Sequence, residues 1–253
     1  MNESKANFSG IYAESYDNIY EMLDPEKELT QAEEFCGEFI QNPCRVMDIG
    51  GGTGRIARIL AEKYEEVYLI EPSSDMTKIA SSKMGNIKNI KILNCSAQKF
   101  KNSDLANGAY LMFSVASYFS TPKLFRDAMR NIISNSAEGS YVYFDAWGSS
   151  VSEKPVIAST VKTFVHDNNS YQRHVNVKSD SITELEPGFH SVEMQINFKN
   201  LTTGINYEET HELAVISEKW LLNSLKQETR IKSIKVRLNP SKPNNMEVCF
   251  SLN

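Results

Sequence analysis

Apolar side chains recur at helical spacing between residues 26 and 40, as Leu29, Ala32, Phe35, Cys36, Phe39 and Ile40, and predict an amphipathic helix that ends before "QNPC". The run "RVMDIG" after it is short, rich in β-formers and flanked by breakers, so it predicts a strand. The glycines behind it open a helix with the stripe Ile56, Ile59, Leu60 and Tyr64. "EVYLIE" predicts the next strand and "SSDMTKIASSKM" a helix capped by Ser73 or Ser74. "IKILNC" and "AYLMFSVA" predict the third and fourth strands, a helix follows through Leu124, Ala128, Ile132 and Ile133, and "SYVYFDAW" predicts the fifth. Strands alternating with helices in this way predict a mostly parallel sheet covered on both faces.

The rhythm changes after Trp147. Segments 156–166, 171–179, 190–199 and 205–215 show no helical period, and "SVEMQINF" alternates Val192, Met194, Ile196 and Phe198 with polar residues, the pattern of antiparallel strands with one wet face. Ser217 then caps a helix through Trp220, Leu221 and Leu225. Two last strands, "IKSIKVRL" and "MEVCFSL", are joined by "NPSKPNN". An antiparallel layer is thus inserted late in an α/β domain.

Composition narrows the partners. Hydrophobic residues are 41% and charged residues 23% of the chain, ordinary globular usage that argues against disorder and a fibrous repeat. No apolar run approaches the roughly 18 to 20 residues of a membrane span, which predicts a soluble protein without a membrane partner. A net charge of −5, with no basic stretch interleaved with aromatics, offers nothing to a phosphate backbone, so no nucleic-acid partner is expected. Cysteines 36, 44, 95 and 249 show no close pairing and read as reduced thiols in a cytoplasm. Histidines 166, 174, 190 and 211 lack metal-ligand spacing, so no metal is expected.

The candidate chemistry begins at "VMDIGGGTG", residues 46 to 54. A strand, a glycine turn and a helix N-terminus leave unpaired N–H groups pointing outward, a site for a polar ligand that must lie against bare backbone. Glu71 ends the next strand, where a carboxylate can accept both hydroxyls of a ribose. The glycines stand at 50, 52 and 54 with Arg55 behind them, which is not the dinucleotide fingerprint, and the absence of G-K-[ST] excludes a Walker loop.

This combination, "VMDIGGGTG", then Glu71, then "PSSDM", resembles the nucleotide-binding half of class I S-adenosylmethionine-dependent methyltransferases, whose pattern is D-x-G-x-G-x-G with an acidic residue ending the next strand. The resemblance implies a doubly wound, mostly parallel seven-stranded Rossmann-like sheet carrying the antiparallel insertion, with S-adenosyl-L-methionine as cofactor. It implies that Gly50, Gly52 and Gly54 lie beside the methionine part, that Asp48 orients the loop or the ammonium, and that Glu71 takes the ribose. Met76 would flank the adenine, whose edge meets the turn Ser96, Ala97 and Gln98. The family usually has Asp followed by Ala there, and in this chain the Ser96 hydroxyl or the backbone of Ala97 and Gln98 takes that place. The expected division is a helical cap over 1–41, a cofactor-binding core from 42–150 and 214–253, and an antiparallel layer over 151–213.

The flanking stretches "FSGIYAESYDNIY", "FSVASYF", "FDAW" and "EETHELAVI" resemble the subgroup of N-methyltransferases that act on nucleotide-linked amino sugars. By that likeness Tyr16 and Phe113 join the cofactor site, while Phe8, Tyr118 and Trp147 line the acceptor. Tyr118, Glu209 and His211 are the expected catalytic groups, and Glu209 and His211 alternate onto one strand face. The aromatic N-terminal stretch also reads as an amphipathic helix packing Tyr12, Tyr16 and Tyr20. Subgroup enzymes carry Tyr and His where this chain has Phe8 and Tyr118, which leaves another amine or a hydroxyl acceptor open. The expected partner is a small-molecule acceptor. A homodimer and a non-catalytic cofactor-binding role stay open too.

Overall fold

In a computed structural model of the protein, the residues described are 8–149, 159–177, 181–239 and 242–253. The chain forms α1 (Gly10–Ile19), α2 (Pro25–Cys36), β1 (Arg45–Ile49), α3 (Arg55–Lys63), β2 (Glu66–Ile70), α4 (Ser74–Met84), β3 (Ile90–Leu93), β4 (Ala106–Leu111), α5 (Pro122–Ser134) and β5 (Ser136–Ser149). The later elements are β6 (Thr160–His166), β7 (Asn169–Val177), β8 (Thr183–Glu186), β9 (Phe189–Asn200), β10 (Asn206–Ser217), α6 (Glu218–Leu225), β11 (Ile231–Asn239) and β12 (Lys242–Leu252).

Helix boundaries follow their caps. Asp24 accepts from the amides of Glu26 and Lys27, and Pro25 begins α2. Ser73, Thr121 and Ser217 cap α4, α5 and α6 through the amides of Met76, Leu124 and Trp220, each cap contributing about 1 kcal/mol.

The helical pattern expected to run to residue 40 breaks at Gly37, whose φ of 53° ends α2, and a 3-10 turn completes it (Gly37–Phe39). The strand expected over 109–116 stops at Leu111, because Phe113 and Ser114 adopt φ of 60° and 62° and the chain enters a 3-10 turn (Val115–Tyr118). β8 has only four residues and no apolar alternation, so no period betrayed it.

Seven strands form the main sheet in the order β3-β2-β1-β4-β5-β12-β11. The first five are parallel, β12 runs antiparallel to β5, and β11 pairs antiparallel with β12. This is the mostly parallel Rossmann-like sheet the sequence implies. One face packs Met47, Tyr68, Ile70 and Phe144 against Phe125 and Ile132 of α5 and Trp220 of α6. The other packs Val46, Val67 and Leu69 against Leu29 of α2, Leu60 of α3 and Ala80 of α4.

The second sheet, β10-β9-β7-β6 with β8 also on β9, is antiparallel, and it joins the first through β5. The far end of that 14-residue strand pairs in parallel with β10, Gly148 opposite Ile216. Its inner face carries Phe164, Tyr171, Val175, Ile196, Phe198 and Leu213, which pack on Tyr12 and Ile19 of α1. No helix among the described residues is long and apolar enough to cross a membrane.

Candidate active site

The carboxyl ends of β1, β2, β3 and β4 meet at one edge of the main sheet, and the glycine turn lies across them. Gly50, Gly52 and Gly54 all have positive φ, and the amide of Gly50 ties the turn to Ile70 O at 2.7 Å. Their surroundings differ. A Cβ on Gly50 would stand 2.6 Å from Val115 Cγ1 and one on Gly54 would strike Met84 Cε, whereas a Cβ on Gly52 would meet nothing within 4 Å. Gly52 therefore presents bare backbone to open space.

Two buried carboxyls face that backbone. Glu71 Oε2 accepts from the Gly52 amide at 3.0 Å and Oε1 from the Ser73 amide at 2.8 Å, and each oxygen keeps a further lone pair for a hydroxyl donor. Burial still pushes its pKa up to about 7. Asp48 is also pushed up to about 7, chiefly by burial and further by the Glu71 charge, against a hydrogen bond from the Ala57 amide. Its Oδ2 is buried without a hydrogen-bond partner. An orphaned carboxyl oxygen, a second carboxyl with spare lone pairs and exposed main chain fit a ligand that carries both positive charge and ribose hydroxyls.

The remaining predicted cofactor residues distribute around this edge. Met76 is buried in the first turn of α4, Tyr16 comes from α1, and Phe113 lies under the Arg55 guanidinium, 5.9 Å from Cζ to the ring centroid. Burial raises the Tyr16 phenol, with the charge of nearby Glu71 a smaller contributor. The turn after β3 is engaged by α5: Asn131 Nδ2 donates to Ala97 O at 3.0 Å and Gln98 Nε2 to Leu124 O at 3.4 Å, while Ser96 O accepts from the amides of Lys99 and Phe100. The Gln98 side chain is thus turned toward the helix.

The residues predicted to meet the acceptor converge from four separate segments. Glu209 Oε2 and His211 Nε2 lie 2.9 Å apart, and His211 Nδ1 lies 3.2 Å from the Tyr118 hydroxyl. The Phe8 ring covers both, with centroids 5.0 Å from His211 and 5.4 Å from Tyr118, and Tyr12 stacks on His211 at 5.8 Å. Glu209 also accepts from the amides of Phe8 and Ser9 and from Ser9 Oγ. Burial pushes its carboxyl up, but the bonds from His211, Ser9 and Phe8 outweigh that and hold it below the usual carboxylate range. Trp147 packs at the edge of the same aromatic cluster, its amide bonded to Ser117 Oγ at 2.8 Å.

The N-terminal segment bridges the two halves. Phe8 O accepts from Ser73 Oγ at 2.7 Å, Gly10 N donates to Asp75 at 3.0 Å, and Asp17 accepts from Thr53 Oγ1 at 2.6 Å and pairs with Lys83. The aromatic stretch is therefore an amphipathic helix that also ties Glu209 to the glycine turn and α4.

Sequence patterns gave no notice of the brace beneath Phe113. Asp145 accepts from the Ser114 amide at 2.9 Å and from its hydroxyl at 3.0 Å, and Asn245 Nδ2 donates to both Asp145 and Ser114 at 3.0 Å. These bonds hold two successive left-handed residues, each a local cost of about 1 to 3 kcal/mol. Arg173, between Tyr171 and Val175 on one face of β7, interrupts an otherwise apolar row and belongs to no motif.

Residues 46–136 match the family model described as a methyltransferase domain. A search of curated protein sequences found no significant match. Among solved structures, the chain is similar to the sugar N-methyltransferase KedS8 from a Streptoalloteichus species, at 13% identity and a TM-score of 0.77 over 100% of this chain and 98% of that one. It is similar to CalS10, an amino pentose methyltransferase from Micromonospora echinaspora solved with S-adenosylmethionine, at 11% identity and a TM-score of 0.71 over 98% and 99%. A third is an S-adenosylmethionine-dependent methyltransferase from Clostridium acetobutylicum, at 16% identity and a TM-score of 0.70 over 96% and 98%. At these identities the likeness is one of fold, and the domain match adds the chemistry. Residues 46–136, from β1 to α5, thus form a methyltransferase domain, and the crevice they build fits S-adenosylmethionine.

Proposed function

We propose that the protein methylates the amino group of a small polar acceptor, with a nucleotide-linked amino sugar as the preferred class. In this reading 42–150 and 214–253 hold the cofactor and 151–213 cover the acceptor. The observation that carries it is the hydrogen-bonded row Glu209, His211, Tyr118 under the rings of Phe8 and Tyr12. Aromatic faces suit an amine on which positive charge develops. The names of KedS8 and CalS10 support the sugar amine as the first class to test.

When bound, S-adenosyl-L-methionine supplies a methyl group on an electrophilic sulfonium. Asp48 and Glu71 would hold its charge and hydroxyls beside the glycine backbone. On the acceptor side, Glu209 is an ionised acceptor and therefore fixes the proton on His211 Nε2. The other ring nitrogen, Nδ1, then holds a lone pair toward the Tyr118 hydroxyl. Burial keeps that phenol protonated, so it donates to His211 and offers its own oxygen to an acceptor N–H. A proton leaving the amine thus passes to the Tyr118 oxygen as the phenol proton moves to His211, whose positive charge Glu209 stabilises.

A hydroxyl acceptor can use the same row, which keeps O-methylation as the second reading. Incubation with radiolabelled cofactor and paired amino and hydroxy sugars separates the two. Label in amines supports the proposal; label confined to hydroxyl compounds sinks it.

A further inference from the structure

The 3-10 turn Val115–Tyr118 touches both halves of the crevice within four residues. Val115, at its start, closes on the glycine turn so tightly that a Cβ on Gly50 would stand 2.6 Å from Val115 Cγ1. Tyr118, at its end, reaches His211 Nδ1 at 3.2 Å. The turn is a short spacer between the expected methyl donor and the expected acceptor. Its entry is the strained point: Phe113 and Ser114 hold φ of 60° and 62°, a conformation that non-glycine residues keep only where their surroundings impose it.

Strand β5 imposes it. Asp145 takes the Ser114 amide on Oδ1 at 2.9 Å and the Ser114 hydroxyl on Oδ2 at 3.0 Å, so Ser114 gives no cap bond to the turn it opens. Two residues on, and therefore on the same strand face, the Trp147 amide donates to Ser117 Oγ at 2.8 Å. Asn245, the sheet partner of Trp147 on β12, donates to both Asp145 and Ser114 at 3.0 Å. Asp145 is only 7% exposed, and the cation that acts on it, Lys242, is paired with Glu28 instead. Burial pushes its carboxyl up, against the two Ser114 bonds. A buried carboxyl without a counter-ion is a costly way to fill space, and among the described residues its side chain bonds only to Ser114 and Asn245.

We propose that Asp145 is a positioning residue: by holding Ser114 left-handed it sets the distance from the glycine turn to Tyr118, and so the line from methyl donor to acceptor. This rests on the reading of Tyr118 as an acceptor group, and Asp145 itself touches neither ligand. In-line displacement is steep in alignment, and a misplacement of about 1 Å costs about 100-fold in rate.

The test reads the geometry of the row, so it stands whichever atom is methylated. Nitrogen-15 spectra of the full-length labelled protein, saturated with S-adenosylhomocysteine, report the ring nitrogens of the four histidines. H211Q assigns the His211 signal, and Y118F marks the shift of Nδ1 when the Tyr118 bond is lost. D145A is expected to move His211 Nδ1 in the same direction as Y118F, with His166, His174 and His190 at their wild-type positions. D145N keeps an acceptor for the Ser114 amide but turns a donor toward Asn245, so its shift should be smaller than that of D145A. Glycine holds a left-handed φ without a brace, so D145A should also move the signal less on an S114G background. With an acceptor that takes label in the paired-sugar experiment, D145A should lower kcat about tenfold to 100-fold and leave S-adenosylhomocysteine affinity within about threefold of wild type. The proposal is overturned by a His211 signal that D145A leaves in place, by equal movement of the other three histidines, by an equal D145A shift with and without S114G, or by a loss of cofactor affinity that matches the loss in kcat. Label confined to hydroxyl compounds would sink the amine reading and leave this result untouched.

Discussion

The two sides of the crevice are built on opposite plans. The expected donor side centres on one continuous piece of chain, β1 through the start of α4, where backbone amides, positive φ values and two raised carboxyls come together, with Tyr16 and Phe113 added from outside it. The expected acceptor side gathers Phe8, Tyr118, Trp147, Glu209 and His211 from segments up to 203 positions apart, and contacts between side chains dominate it. Local geometry that depends on glycine leaves a mark in sequence. A pocket assembled by tertiary packing leaves residue types without their spacing.

That contrast can be broken by experiment. The largest effect is expected from H211A, which removes the proton acceptor of the row: kcat should fall by about 100-fold to 10,000-fold while S-adenosylhomocysteine affinity stays at the wild-type value. A matched loss of cofactor affinity would mean that the two sides are not separable. Next, E71A should weaken cofactor binding by about 1 to 3 kcal/mol in calorimetry, because the ribose loses a two-oxygen acceptor and Gly52 its anchor. Unchanged affinity would put the ribose elsewhere.

A pH series sharpens the donor side. Asp48 and Glu71 retain protons in the ligand-free fold up to about pH 7, whereas a cationic ligand favours their ionised forms. Binding therefore releases protons, and affinity should fall by up to about tenfold per pH unit for each proton as pH drops below about 7, levelling off above it. The same shifts have the opposite sign for folding. A carboxyl whose pKa is raised in the fold favours the folded state at low pH, so the ligand-free melting temperature should decline as pH rises from the ordinary carboxylate range through about 7. The E71Q variant should flatten both profiles; a pH-independent affinity would show that neither carboxyl meets the cofactor.

The smallest effect is expected where the sides meet. S73A deletes the cap of α4 and the bond to Phe8 O, and should cost about 0.5 to 2 kcal/mol of stability by chemical denaturation with a modest rise in KM for both ligands. A rise confined to the cofactor would show that the N-terminal segment does not lean on Ser73.

How far the chain is legible follows the same division. The five alternating strands and helices, the final strand pair, the glycine turn and Glu71 were readable, since period and punctuation are local. The break in β4 at Phe113 and Ser114 was not, because a left-handed pair of non-glycine residues exists only where Asp145 and Asn245, distant in sequence, hold it. β8 was invisible for want of length, and Gln98 was readable as a turn residue but not as one that α5 would claim. Glu209 and His211 could be paired from strand alternation, whereas their link to Tyr118 and the rings overhead needed the fold.

One strand, β5, belongs to both sheets, through β4 and β12 along its length and β10 at its tip. In the proposed reading donor and acceptor walls hang from this one beam, so a displacement of β5 shifts the cofactor edge and the strand of Glu209 and His211 together.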